Sequence, residues 1–388
     1  MESVTSRIEE MKAAVSAGLV TERDGRAVAS PASTQELATL VRSADATGVG
    51  IEIRGAGTKR GWPGSVSGDL LLETRALAGV REHSWQDLTA TVGAGTIWSE
   101  MQQALAQHGQ QVALDPLWPE QATVGGVIAA NDSGVLRLKY GSLRDLVIGM
   151  TLVLADGTVA RSGGKVVKNV AGYDLHKLMI GAYGTLAVVT EVTFRLHSIS
   201  RCTQIWTLEA TEADVCAAQM MKVLNSQLSV EAMQLRANAN GYALDIQLAC
   251  MDEVMRAQLG ALDALAGVSG TLGLDVFSAR QRIFETNGAV AKLTMLSSHI
   301  AKVSAAVVRL GGESVAQASG ILLARVPGVA DLDRLRELLP PEGSLTVLRA
   351  ADGLGMRPPV GTSAALMQEI KRRFDPKGTL NPGVVVGR

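Results

Sequence analysis

Aromatic side chains are scarce in this sequence: phenylalanine, tryptophan and tyrosine together make up 3% of its 388 residues. Its interiors must instead be filled by aliphatic side chains and closely approaching backbone, which a 47% hydrophobic content and 41 glycines can supply. Cysteine is nearly absent too. Cys202, Cys216 and Cys250 share no C-x-x-C spacing, which argues against a disulfide framework or an iron–sulfur cluster in this chain and suits a reducing compartment. No sign of charge prevails: 37 basic residues face 38 acidic ones. With no Lys/Arg block, neither nucleic acid nor an anionic membrane is expected as a partner. A small anionic substrate stays compatible, because local fields decide its binding. There is no run of about 18 or more apolar residues to span a bilayer. Residues 1–12 are acidic and helical in pattern, without the apolar stretch of a signal peptide. The expectation is a soluble, cytoplasmic protein with no direct membrane insertion, any membrane association running through partners.

The length suggests two domains, or one large domain with an insertion. Ser33 or Thr34 can cap a helix in which Leu37, Leu40, Val41 and Ala44 follow helical spacing. A strand over 51–54 leads into a glycine-rich loop. Further strands are predicted at 70–73 and 89–92, and Trp98, Met101 and Leu105 share a helical face. Residues 115–142 read as a long irregular stretch. Strands 148–154 and 158–161 join through Asp156-Gly157 as a hairpin. The clearest strand, 186–196, alternates Val188, Thr190, Val192, Phe194 and Leu196 with more polar neighbours. From about 200 to 349 strands and helices alternate in the order of an α+β plate with helices on one face. The last helix has Leu366, Met367, Ile370 and Phe374 as its apolar positions, ahead of Asp375-Pro376 and Asn381-Pro382-Gly383.

Three side-chain-poor stretches carry the chemistry. In Arg54-Gly55-Ala56-Gly57-Thr58-Lys59, successive amides after a strand can converge on an anion. Glycine there permits positive φ and lets a diphosphate approach the backbone. Thr58 adds a hydroxyl, and Arg54 or Lys59 a positive field. The spacing is not G-x-G-x-x-G and no helix follows, so a Rossmann site is disfavoured. Taken alone, such a turn is more often a plain loop. The second stretch runs from Thr123 to Gly134 and offers a flat cofactor room along the backbone, with Thr123, Asn131 and Ser133 as hydrogen-bonding groups. Its bland alternative is a tightly packed turn in an alanine-rich core. In the third, residues 168–175 and 181–190, a glycine-rich turn feeds the best strand, whose amides could pair with the edge of an adenine or flavin ring.

In this order, I-R-G-A-G-T, T-V-G-G-V-I-A, G-G-K-V-V-K-N-V-A-G-Y-D-L, G-A-Y-G-T-L-A-V-V-T-E-V and F-D-P-K-G-T-L-N-P-G resemble the vanillyl-alcohol-oxidase (PCMH-type) flavoproteins, and most closely the FAD-binding subunits of bacterial glycolate oxidases. The resemblance is strong over about 25–200, vague through the middle, and returns in the last twenty residues. It implies an α+β chain: a two-subdomain FAD-binding domain over 1–200, an α+β (ferredoxin-like) cap domain over 201–350, and a segment, 351–388, returning to the FAD site. The family's first loop holds the FAD diphosphate, which maps onto Arg54, Gly55, Ala56, Gly57, Thr58 and Lys59. The flavin side maps onto Pro116, Thr123, Gly125, Gly126, Asn131, Ser133, Gly134 and Tyr140. Gly184, Val188 and Asn381 would reach the cofactor from later in the chain. Relatives that attach FAD covalently use a His near the first loop or a Cys in the second region. Neither is present here, so non-covalent FAD is implied.

Oxidation of a hydroxy acid needs a base or metal to take the hydroxyl proton while hydride goes to the flavin. The five histidines, His83, His108, His176, His197 and His299, show no ligand spacing. His176 reads as a surface or helix-start residue, and Asp352-Gly353-Leu354-Gly355 lacks the histidine of a metal-binding turn. Arg349, Arg357, Lys165 and Lys168 could hold a carboxylate, although such residues are more often solvated or paired. No catalytic residue emerges. The resemblance therefore implies a subunit of a complex that oxidises a small 2-hydroxy acid, alongside a catalytic flavoprotein subunit and an iron–sulfur subunit. The alternatives are an autonomous FAD oxidoreductase and a flavin-fold scaffold without catalysis.

Overall fold

The computed structural model describes residues 3–164, 173–273, 276–350 and 362–384. The chain divides into two units, the first made of 1–133, 142–198 and 358–388, the second of 134–141 and 199–357.

The first unit contains two main sheets. One orders the strands Val20–Arg23, Arg26–Ala29, Leu70–Glu73 and Ile51–Arg54, the last three running parallel. The helix Thr34–Thr47 packs on it. Ser33 Oγ accepts from the Glu36 amide at 3.1 Å, the Glu36 carboxylate accepts from the Ala32 amide at 2.8 Å, and left-handed Gly48 ends the helix. The spacing-predicted face Leu37, Leu40, Val41 and Ala44 is fully buried with Ile51, Leu70 and Leu72. The other sheet is antiparallel, in the order Val80–Ser84, Thr89–Gly93, Ala187–Arg195, Val147–Leu154 and Val159–Gly163. Its core is mainly aliphatic, with Phe194 meeting Trp98 edge-on at a centroid distance of 5.9 Å and Phe374 packed against it.

Within the stretch expected to be irregular, Val124–Ala130 is a helix. The low helix propensity of Gly125 and Gly126 masks it in the sequence. It forms because Thr123 Oγ1 caps the Gly126 amide (3.2 Å) while Val124, Val127 and Ile128 are buried. The helix Thr362–Phe374 also departs from expectation: Ile370 and Phe374 pack on the core, whereas Leu366 and Met367 are 62% and 43% exposed.

Beyond that helix the closing phrase is pinned to the strand Ile51–Arg54. Leu380 is buried and bridges Ile51; the Ile51 amide donates to the Thr379 carbonyl (2.7 Å) and the Asn381 amide to the Ile51 carbonyl (2.8 Å). Buried Asp375 accepts from the Thr379 and Leu380 amides, both at 2.8 Å, and pairs with Lys371. Lys371 in turn donates to the carbonyls of Thr185 (2.8 Å) and Leu380 (3.0 Å).

The second unit is an eight-stranded antiparallel sheet in the order Thr271–Leu272, Cys202–Ala210, Gly241–Cys250, Val230–Asn238, Glu313–Gln317, Ile321–Val326, Ala289–Thr294 and Ser344–Arg349. The helices Ala213–Leu224, Asp252–Ala266, Ile300–Arg309 and Val329–Glu337 bury its alternate residues, among them Leu235, Leu244, Ile246 and Leu322. Register places Cys202 opposite Cys250, a proximity that sequence spacing hides, and all three thiols are free.

Candidate functional site

In the first unit, stretches far apart in sequence meet around one cleft that is partly open to solvent. The strand Ile51–Arg54 runs into a turn in which Gly57 takes φ +77°, the left-handed region that glycine tolerates. A Cβ on Gly55 would overlap the Thr123 hydroxyl. Only a residue without one lets this turn lie against the start of the helix Val124–Ala130. At the helix's other end the amides of Gly181 and Tyr183 donate to the carbonyls of Ile128 (3.0 Å) and Ala129 (2.9 Å). Asn381 closes the circuit, accepting from the Ile53 amide at 2.7 Å and donating to the Tyr183 carbonyl at 2.6 Å. Trp118, Asn131, Tyr183 and Asn381 all adopt positive φ, although none is glycine. Such conformations persist where surrounding structure over-determines them, commonly at functional sites.

Charge at the cleft is uneven. Glu52 is buried and takes hydrogen bonds from Arg26 and Arg54, each at 2.6 Å, with Arg60 at 3.1 Å. Burial works to raise its pKa, but the hydrogen bonds and charge of Arg54 and Arg26 prevail and hold it below the usual carboxylate range. Lys59 is engaged differently: its ammonium pairs with Asp132 (3.1 Å), donates to the Leu117 carbonyl (3.2 Å), and lies over the rings of Trp118 and Trp62 at 5.4 and 5.8 Å. Asp132 also accepts from the Leu117 amide at 2.8 Å, so this knot ties the 54–60 turn to the backbone just after Pro116. Burial, with Asp132 nearby, pushes the Tyr183 phenol up to about 12.

Of the residues expected at a cofactor, Arg54, Gly55, Ala56, Gly57, Thr58, Lys59, Thr123, Gly126 and Asn381 line the cleft. Gly125 packs on Ala94, where a Cβ would come within 3.1 Å, and a Cβ on Gly184 would sit 2.8 Å from the Asn381 amide nitrogen. Asn131 caps the 124–130 helix in the left-handed region, and Ser133 is buried. The Val188 side chain lies in the core rather than the cleft. Gly134 and Tyr140 belong to the second unit, where the Tyr140 hydroxyl donates to buried Glu231 at 2.6 Å. The sequence reading missed Glu52, Arg60 and Tyr183, which also line the cleft. An acid alternating with Arg54 at the end of an apolar strand was the available signal for Glu52. A bulky residue between Gly181 and Gly184 was the one for Tyr183.

The histidine and carboxylate-binding candidates fare less well. His176 begins a short helical turn as expected, but it is buried: its Nδ1 lies 3.0 Å from Ser162 Oγ, and burial lowers its pKa. Arg349 donates to the carbonyls of Phe284, Thr286 and Gly288, so its guanidinium serves as a backbone clamp. Lys165, Lys168, Arg357 and Asp352-Gly353-Leu354-Gly355 lie outside the described residues, as does most of the K-N-V-A-G-Y-D-L phrase. Among the described residues no three His, Cys, Asp or Glu side chains group as metal ligands, and no helix is long and apolar enough to cross a membrane.

Residues 25–163 match the FAD binding domain family. Glycolate oxidase subunit GlcD of Bacillus subtilis is 39% identical over 171 residues, 44% of this chain but only 36% of that protein. Glycolate oxidase subunit GlcE of Escherichia coli is 28% identical over 90% of this chain and 96% of its own length. D-lactate dehydrogenase of Archaeoglobus fulgidus is 27% identical over 92% and 91%. In architecture the chain is similar to p-cresol methylhydroxylase, with a TM-score of 0.74 at 14% identity over 99% of this chain and 96% of that one. The chain carries a PCMH-type FAD-binding domain over residues 25–163 and shares its fold with p-cresol methylhydroxylase. It is an FAD-dependent oxidoreductase, similar to proteins named as glycolate oxidase subunits and D-lactate dehydrogenase.

Proposed function

We propose that this chain is the FAD-binding subunit of a glycolate-type 2-hydroxy-acid dehydrogenase or oxidase complex. It would take electrons from, or support, oxidation of a small 2-hydroxy acid, with a catalytic flavoprotein subunit and an iron–sulfur subunit as partners. The observation that carries this reading is the closed circuit from Gly55 through Thr123, Ala129 and Tyr183 to Asn381, which gathers the glycine-rich turns around one cleft. Similarity to a glycolate oxidase subunit across 96% of that subunit's length supports it.

The residues present suit FAD. Amides of 55–58 can hold the diphosphate beside Arg54, in a turn whose seat against the Thr123 side chain requires glycine at 55. Thr123, Gly126 and Ala129 offer a flat wall to the remainder of the cofactor. Lys59, already engaged by Asp132 and the Leu117 carbonyl, holds the loop in shape. Asn381 keeps the strand and the Tyr183 turn together. FAD supplies the ring that accepts and passes electrons; the chain binds it, orients it and shields one side of it. Attachment is non-covalent, so acid precipitation should release all of the flavin.

Expression of the chain alone and together with the proteins encoded beside its gene, followed by flavin quantitation and anaerobic addition of glycolate or D-lactate, tests the reading. The flavin should be reduced by a hydroxy acid only in the copurified complex. A second reading, an autonomous dehydrogenase, draws on similarity to D-lactate dehydrogenase over 91% of that enzyme. Rapid reduction of the flavin in the isolated chain would establish it instead.

A further inference from the structure

We infer that Glu52 is the positioning residue of the diphosphate subsite: its one buried carboxylate gathers Arg26, Arg54 and Arg60 into an oriented positive wall for a ligand bearing two negative charges. This rests on the FAD reading and adds a group to it. Strand alternation sends Glu52 and Arg54 to the sheet face opposite Ile51, which packs with the helix Thr34–Thr47. Arg26 arrives from the strand Arg26–Ala29 and also donates to the Gly68 carbonyl at 2.9 Å; Arg60 arrives from the loop. The Glu52 side chain is 3% exposed, that of Arg60 55%. Glu73, the next carboxylate on this face, is held by Arg23 and leaves the balance unchanged.

A buried carboxylate needs partners, but not this many. One arginine suffices for buried Asp245 in the second unit, helped by Gln234 and Thr207. Around Glu52, three positive charges against one negative leave two in excess among the described residues, and a diphosphate diester carries two negative charges at neutral pH. The Arg54 Nε is buried and has no hydrogen-bond partner among the described residues, an unmet donor on a residue that lines the cleft. Its side chain runs beside Gly57, with Cδ 3.6 Å from where a Cβ would stand. Glu52 thus determines where the surplus charge points.

The test is titration of the flavin-free chain with FAD and with ADP, which has the diphosphate and no flavin. Glu52→Gln should weaken both ligands equally, by about tenfold or more, even though it makes the cluster more positive, and Glu52→Asp should recover part of the loss. Arg60→Gln, on an exposed side chain, should weaken both by roughly threefold to tenfold with an unchanged melting temperature of the flavin-free protein; it decides the matter if Glu52→Gln does not fold. Unchanged or tighter binding by Glu52→Gln, or a silent Arg60→Gln, overturns the inference while leaving the FAD reading intact. Failure of the wild-type chain to bind either ligand overturns both.

Discussion

The two units treat a buried acid in opposite ways. In the second, Asp245 has no exposed surface, and its oxygens are filled by Arg236 (2.7 and 2.9 Å), Gln234 (2.9 Å) and Thr207 (2.9 Å), one positive charge for one negative. In the first, Glu52 is outnumbered by arginines at the edge of a cleft ringed by left-handed residues. The first arrangement is what a sheet needs to bury polar groups without loss. The second keeps charge and backbone amides in reserve, as a binding site does. Regularity and saturation mark the structural network; surplus and positive φ mark the ligand site.

Substitutions can break that contrast in either unit. Gly57→Glu puts a side chain and a negative charge on a left-handed turn beside the diphosphate position, and flavin retention should fall below detection by absorbance while circular dichroism stays native. Flavin content at the wild-type level would remove the diphosphate from this turn. Asp245→Asn should do the reverse. It leaves Arg236 without its counter-charge and should cost about 3 kcal/mol of folding stability, read by denaturant unfolding, with FAD affinity unchanged. Asn381→Ala falls between them: it frees the Ile53 amide and the Tyr183 carbonyl and puts alanine at φ +43°. Stability should drop by about 2 kcal/mol and FAD retention with it, whereas a loss of stability alone would make Asn381 irrelevant to the cofactor.

Acid gives the smallest and most even effect. Burial works to raise the pKa of Glu231, yet hydrogen bonds from Tyr140 and Gln247 and the charge of Lys139 hold it low, as arginines do for Glu52. A carboxylate whose folded-state pKa is depressed contributes stability that is complete above its unfolded value, roughly 4.3, and is lost as pH falls through the folded value. Unfolding midpoints should therefore decline on acidification from about pH 5, and Glu231→Gln should flatten that decline. An acid limb that Glu231→Gln leaves unaltered would assign the sensitivity to other groups.

Much of this was legible in the sequence because local rules and tertiary packing agreed. A Ser33 or Thr34 cap ahead of Leu37, Leu40, Val41 and Ala44 marked the helix Thr34–Thr47, alternation over 186–196 marked the strand Ala187–Arg195, and the side-chain-poor turns pointed to FAD only through the family their order resembles. Sequence failed where packing overruled propensity or where partners came from afar. Val124–Ala130 is helical despite two glycines because its aliphatic side is buried. Leu366 and Met367 are apolar yet exposed. Arg26 and Arg60 join Glu52 only through the sheet and the turn, and nothing in local spacing reveals that Asn381 bonds to both Ile53 and Tyr183.

The most direct measurement is a structure of the chain with FAD bound. Diphosphate oxygens should lie within hydrogen-bonding distance of the amides of Gly55 to Thr58, with the cofactor running past Thr123 and Gly126 toward the Tyr183 turn. Flavin density elsewhere, with the cleft holding only solvent, would contradict this placement.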